Sequence, residues 1–265
     1  MREVESHMSQ IKKDPIGKAL TFGAVLLLLV VGQSLATDDK QDKTVKGRIE
    51  ELEAQVADLQ ALLEHFIRDG DDIYIEGANL HVVNGEGSTS DTNSFGNIII
   101  GYNESRGAGR DVRTGSHMLI VGSKNNYSGH GGIVVGSRNT VSGPYASVSG
   151  GAGNTAGGWG SSVSGGQDNT ASGEVASVSG GFINTVPAGS FCASVSGGAD
   201  NTAGGLYDSV SGGMDNTAYG WGSSVSGGVG NTASGQYDSV SGGSGRTLST
   251  GGGYWLAGDL TANPN

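Results

Sequence analysis

The apolar residues of this 265-residue chain fall into three successive patterns. The first is a continuous run of 14 residues from Ala19 to Gly32. Arg2, Lys12, Lys13 and Lys18 precede it, and Ser34-Leu35-Ala36 comes after it with the small-x-small spacing of a cleavage site. Such a run is short for a membrane span and suits an export signal. Residues 1–36 are expected to be a signal peptide, or a signal anchor if uncleaved. Either one exports the rest of the chain, because the basic cluster stays cytoplasmic. Membrane contact is expected only through this segment, and only if it is retained.

The second pattern has a period of 3.5. After a charged linker at 37–44, Val45, Ile49, Leu52, Val56, Leu59, Leu63 and Phe66 alternate four and three residues apart. That is the a/d seam of a coiled coil, with Ile49, Val56 and Leu63 at a and Leu52, Leu59 and Phe66 at d. β-Branched a positions with Leu at d favour two strands. Arg48 at g and Glu53 at e instead match the R-h-x-x-h-E signature of short three-stranded coils, in which the two pair between neighbouring helices. The expectation is a trimeric stem over 45–68.

The third pattern is much longer. The strand cores Ile98-Ile99-Ile100, Leu119-Ile120-Val121 and Ile133-Val134-Val135 are succeeded by Ser-Val-Ser at 147, 162, 177, 194, 209, 224 and 239. Most units continue Gly-Gly-x-x-Asn-Thr, with Asn at 139, 154, 169, 184, 201, 216 and 231 and Thr one residue on. A valine kept in register at such distances is foreign to a flexible linker, and several glycines per unit oppose helix. A unit of 14–15 residues makes two short strands and two glycine-rich turns, stacked coil on coil about 4.8 Å apart. In each Ser-Val-Ser the valine points inward and the serines outward, so the interior has room for one valine and small neighbours. Asn and Thr are expected at a turn, with Asn forming an amide ladder between coils. The three early cores are apolar on both strand faces. One face fills the coil, and the other requires a partner, which the stem supplies as identical chains.

Composition agrees with a thin core rather than a globular one. Gly supplies 50 of 265 residues, charged residues are only 15%, and the four prolines without a glycine triplet exclude collagen. The net charge of −11 argues against nucleic acid as a partner. One cysteine, Cys192, excludes a disulfide framework within the chain. Three symmetric copies of it cannot all pair, so a buried thiol is expected.

The coil motifs, N-I-I-I-G at 97–101 and A-S-V-S-G later, resemble the N-S-V-A-I-G motif of YadA-type heads of trimeric autotransporter adhesins. The resemblance covers roughly residues 80–258. It implies a left-handed parallel β-roll packed as three copies about a three-fold axis, and an adhesive role. The C-terminal GYWLAGDLTANPN lacks that family's four-strand membrane anchor, so attachment is expected through the N-terminus.

The whole expectation is an all-β solenoid, a parallel β-roll with 14–15-residue coils preceded by a short α-helical coiled coil, assembled as a homotrimer. Lead-in coils occupy 69–97, head repeats 98–258 and a tail 259–265. The function expected is a non-enzymatic surface or extracellular fibre of a bacterium, adhesin-like, with no cofactor. From Pro144 onward the only basic residue is Arg246 and there is no histidine, so no acid–base cluster for polysaccharide cleavage can be assembled. His81, His117 and His130 lack metal-ligand spacing. An ice-binding solenoid and a polysaccharide-binding or -cleaving one are the alternatives. An aromatic strip of Tyr145, Trp159, Tyr207, Trp221 and Tyr237, with Phe191 nearby, stands two or three residues before the Ser-Val-Ser units other than the one at 177. It is expected either to pack between chains or to bind a glycan or matrix protein. The insert from Tyr102 to His117 holds Glu104, Arg106, Arg110, Asp111 and Arg113. It is read as salt-bridging at the stem–head junction or as a site for an acidic partner.

Overall fold

The computed structural model describes residues 39–249 and 252–256, with side chains from residue 44 onward. The expected export segment at 1–36 and the tail at 259–265 lie outside the described residues. The chain divides into two compact units, residues 1–81 and 82–265.

In the first unit a helix, α1, spans Asp39–Leu62. It begins inside the expected linker, where Lys40, Gln41 and Lys43 are good helix formers. Its seam residues Leu52 and Leu59 are 43% and 48% exposed, and Ile49 and Val56 are half-buried. The helix also stops short of the expected end at residue 68. Leu63 lies in a turn, and Phe66 belongs to strand β1 (Phe66–Asp69) rather than to a helical d position. β1 pairs antiparallel with β2 (Asp72–Ile75), Phe66 opposite Ile75 and Asp69 opposite Asp72. Gly70, at φ 59°, takes the first place of the two-residue loop, where a hairpin wants a left-handed residue. The β-branched and aromatic run Ile67, Ile73, Tyr74, Ile75 outweighs the heptad here. Every residue of both strands is exposed.

No strand occupies 76–97, so this part of the expected lead-in coils is an irregular segment. Asparagine side chains organise it. Asn93 Nδ2 donates to the Asn84 carbonyl, Asn97 Nδ2 to the Gly115 carbonyl, and Asn97 Oδ1 accepts the Met118 N–H at 2.9 Å.

From Ile98 the chain is a parallel solenoid with turns of about 15 residues. One sheet has 11 strands, β3 (Ile98–Ile100), β4 (Leu119–Ser123), β6 (Ile133–Ser137), then the Ser-Val strands from β8 (Ser147–Val148) to β20 (Ser239–Val240), ending in β22 (Trp255–Leu256). The other has nine, from β5 (Asn126–Tyr127) through the Thr-Ala or Thr-Val strands to β21 (Thr247–Leu248). Each strand pairs with its counterpart one coil on, Val148 with Val163 and Thr155 with Thr170.

The core is as thin as the composition requires. Val134, Val148, Val163, Val178, Val195, Val210, Val225 and Val240 form one fully buried column, and Ala156, Ala171, Val186, Ala203, Ala218 and Ala233 form the facing one. Ser147 and Ser149 point outward on either side of Val148, and this alternation recurs in every Ser-Val-Ser. In the early coils Ile120 and Val134 are buried, whereas Ile98, Ile100 and Ile133 are 43%, 56% and 41% exposed on the outer face.

The asparagine column is wholly buried from Asn125 to Asn231 and reaches back to Asn103. It is chiefly a ladder of side chain to backbone, with one amide-to-amide link, Asn216 Nδ2 donating to Asn201 Oδ1 at 3.1 Å. Asn169 Oδ1 accepts the Asn184 N–H at 2.9 Å, while its Nδ2 donates to the Gly165 carbonyl at 3.1 Å and to the Gly181 carbonyl at 3.0 Å. Asn154, Asn184, Asn201, Asn216 and Asn231 repeat this arrangement. Threonine, expected beside it at the turn, is the first residue of every second-sheet strand after β5, half-buried on the outer face from Thr140 to Thr232 and exposed at Thr247.

Candidate functional site: an aromatic edge

The second residue before each Ser-Val strand has positive φ. Tyr145, Val175, Cys192, Tyr207 and Tyr237 hold that seat at φ 55–61°, and Gly160 and Gly222 at 59° and 69°. Its N–H closes the coil below, as when Tyr145 N–H donates to the His130 carbonyl and Tyr237 N–H to the Trp221 carbonyl. A bulky residue in this conformation costs about 1 kcal/mol or more. The sequence places an aromatic here in two ways. Tyrosine takes the strained seat itself in three coils. In two others tryptophan stands one residue earlier and glycine takes the seat, giving Trp159-Gly160 and Trp221-Gly222.

The strip is therefore two adjacent columns, which explains why its spacing from Ser-Val-Ser varies between two and three residues. Rings meet across columns from one coil to the next. Tyr145 and Trp159 have centroids 6.1 Å apart at 77°, Phe191 and Tyr207 5.6 Å at 83°, and Trp221 and Tyr237 5.3 Å at 40°. The expected continuous run Tyr207–Trp221–Tyr237 is interrupted: among the described residues Tyr207 pairs with Phe191 instead. His130 extends the first group, 4.9 Å from Tyr145 and perpendicular to it. Glycines make room for the tyrosines. A Cβ on Gly131 or Gly222 would lie 3.0 Å from a ring carbon of Tyr145 or Tyr237.

All five residues singled out from the sequence are about half exposed, from 44% for Trp221 to 55% for Tyr207. The edge is thus three aromatic pairs, the first set apart from the second by the coil of Glu174 and Val175. Cys192 is a free thiol in this turn, and it is half-buried rather than buried as expected.

The next position inward carries buried polar groups. Asp208 Oδ2 accepts the Gly205 N–H and Oδ1 the Ser223 N–H, each at 2.7 Å. Burial pushes the Asp208 carboxyl above its ordinary range, against the hydrogen bonds from Ser223, Gly205 and Gly220 that favour the carboxylate. Asp238 repeats the motif with Gly235 and Tyr254. These carboxylates cap turns, and no spacing in the chain indicates that acids in this column are buried.

A second exposed stripe has no counterpart among the sequence expectations. Phe182, Met214 and Val229 project from the opposite corner, joined by backbone bridges through Ala199. Their shared offset from the Asn column could have revealed them. Among the described residues no group of three or more His, Cys, Asp or Glu is placed to hold a metal ion. Among them also, no helix is long and apolar enough to cross a membrane. No protein-family model matches the chain, and no curated protein matches it.

Proposed function

We propose that this chain is a non-enzymatic, homotrimeric fibre protein, exported to a bacterial surface or the extracellular space, that attaches through its aromatic edge to a glycan or matrix protein. The observation that carries the reading is the aromatic edge itself. Tyr145, Tyr207 and Tyr237 accept a strained backbone while staying about half exposed, so burial does not offset the strain. An exposed aromatic offers a flat face on which a sugar ring or an apolar side chain can stack, and three chains would multiply such weak sites.

What supports the trimer is apolar surface that one chain leaves open. The seam Leu52, Leu59 and Leu63, the hairpin of β1 and β2, and the outer face Ile98, Ile100 and Ile133 are exposed in the single chain. An isolated two-stranded hairpin is at best marginal in water, and neighbouring copies would cover it. The roll is of the YadA head type in this reading, on the strength of its coil motif and parallel coils.

Sedimentation equilibrium tests the assembly, with a three-chain mass expected and a one- or two-chain mass refuting it. Attachment is tested with Trp159→Ala/Trp221→Ala, on a glycan and matrix-protein array. The double variant is expected to stay folded and trimeric while array binding falls. Loss of trimer mass would make the rings packing residues instead.

A further inference from the structure

The insert Tyr102–His117 folds over the start of the roll and borders a cavity of about 480 Å³ lined by Arg106, Arg110, Lys124 and Arg138. Four cations converge there although the chain carries a net −11. Like charges this close repel unless something negative lies between them.

Among the described residues the chain sets one carboxylate, Asp111, near these four cations, too little to balance them. Arg106 is fixed by carbonyl oxygens, Nε donating to Lys124 O at 2.6 Å and Nη2 to Asn139 O at 2.7 Å. The nearby acid, Asp111, is engaged elsewhere: its Oδ1 accepts the Arg106 backbone N–H at 2.9 Å and lies 3.5 Å from Arg113 Nη2. Among the described residues, Arg110, Lys124 and Arg138 find no side-chain hydrogen bond or ion pair. Burial, with Arg113 and Arg138 close by, lowers the Arg106 pKa against the opposing pull of Asp111.

The backbone also singles out this place. Lys124 and Arg138 sit in successive coils at the seat before the buried asparagine, at φ 57° and 58°. In the later coils that seat holds Gly153, Asp168, Ile183, Asp200, Asp215, Gly230 and Gly245. The column thus changes from basic at the first two seats to acidic or neutral beyond them. Holding long cationic side chains in the left-handed conformation costs about 1 kcal/mol each where glycine or aspartate would serve.

We propose that this cavity is a binding site for a tetrahedral oxyanion, a phosphate or sulfate group. Guanidinium forks match such oxygens in pairs, and Lys124 adds a point charge. The volume exceeds what one anion fills and falls in the range of small-molecule sites, leaving space for a sugar that carries the group. A net-negative surface repels polyanions at long range, which suits a site that captures a single charged group at contact. The site is independent of the aromatic edge.

The test is calorimetric titration of the full chain with inorganic phosphate, inorganic sulfate and glucose 6-phosphate, against sodium chloride at matched ionic strength. Saturable binding of at least one oxyanion is expected. Arg110→Gln/Arg138→Gln should weaken it about tenfold or more, the effect of losing one charge-assisted hydrogen bond. Neither side chain holds the fold, so the unliganded melting temperature should not fall. Lys124→Gln serves as a second variant with the same expectation. Tighter binding of glucose 6-phosphate than of inorganic phosphate would identify a sugar-borne group, and equal affinity the free ion. Absence of saturable binding, or binding unchanged in both variants, overturns the proposal.

Discussion

Replacing Asn169 with alanine removes three hydrogen bonds from the middle of the roll. The Asn184 N–H loses its acceptor, Oδ1 at 2.9 Å, and the Gly165 and Gly181 carbonyls lose Nδ2. The three losses differ in cost. Gly181 O still accepts the Gln167 N–H at 2.9 Å. Gly165 is half-buried, so water can reach its carbonyl. The Asn184 N–H has neither remedy, because Asn184 is fully buried. An orphaned buried donor costs about 1–3 kcal/mol, and the two lesser losses bring the whole to about 2–4 kcal/mol. Asn169→Asp should be at least as damaging, since it keeps Oδ1 but sets a second carboxylate oxygen against two carbonyls. Guanidinium unfolding monitored by circular dichroism would read the cost, and hydrogen exchange at the Asn184 amide would locate it. A loss below about 0.5 kcal/mol, with that amide as protected as before, refutes the claim that the ladder supports the coils.

The Gly-Gly pair next to each asparagine should respond asymmetrically. A Cβ on Gly165 meets nothing within 4 Å, whereas one on Gly166, at φ 81°, would lie 2.3 Å from Gly181 O and 2.6 Å from Asn169 Nδ2. Gly165→Ala is therefore expected to be nearly neutral, and Gly166→Ala to cost on the order of 3 kcal/mol in the same unfolding assay. Because burial raises the Asp208 pKa in the folded state, the folded chain keeps that proton to higher pH than the unfolded one. Its contribution to stability is then greatest below the ordinary carboxylate range and declines as pH rises toward the folded value. Asp208→Ser, copying Ser223 in the same column, should flatten that part of the stability–pH curve, and an unchanged slope would count against the assignment. Leu59→Asp, at the stem seam, should convert a three-chain mass to one chain in sedimentation.

The roll is legible in the sequence because a parallel stack places equivalent residues directly above one another, so spacing along the chain becomes position in space. Spacing alone locates Val163, Asn169 and Thr170 in their columns, and alternation gives the outward direction of the serines. Where two patterns overlap, spacing misleads. Phe66 continues the heptad from Leu59 and Leu63, yet it also begins an alternating β-branched run with a glycine turn at Gly70, and the hairpin prevails. Backbone handedness leaves no mark in hydrophobicity, so the sequence does not show that Tyr145 and Trp159 occupy different columns. The cationic cavity is half visible. Lys124 and Arg138 lie one coil apart, but nothing in the spacing indicates that the insert folds Arg106 back across both.

The 17-residue coil that contains Pro187 has a mechanical consequence. Hydrogen bonds between coils run along the axis of the roll, so a pull from end to end loads every interface in series. Elsewhere this position donates to the next coil, as Gly157 N–H does to Ala171 O at 2.8 Å and Gly204 N–H to Ala218 O at 2.7 Å. Proline has no N–H to donate, and Thr185–Thr202 is the only paired position between β13 (Thr185–Val186) and β15 (Thr202–Ala203). Under tension the roll should part there first, and the coils from Ile98 to Val178 should stay folded after those beyond the break have been pulled away.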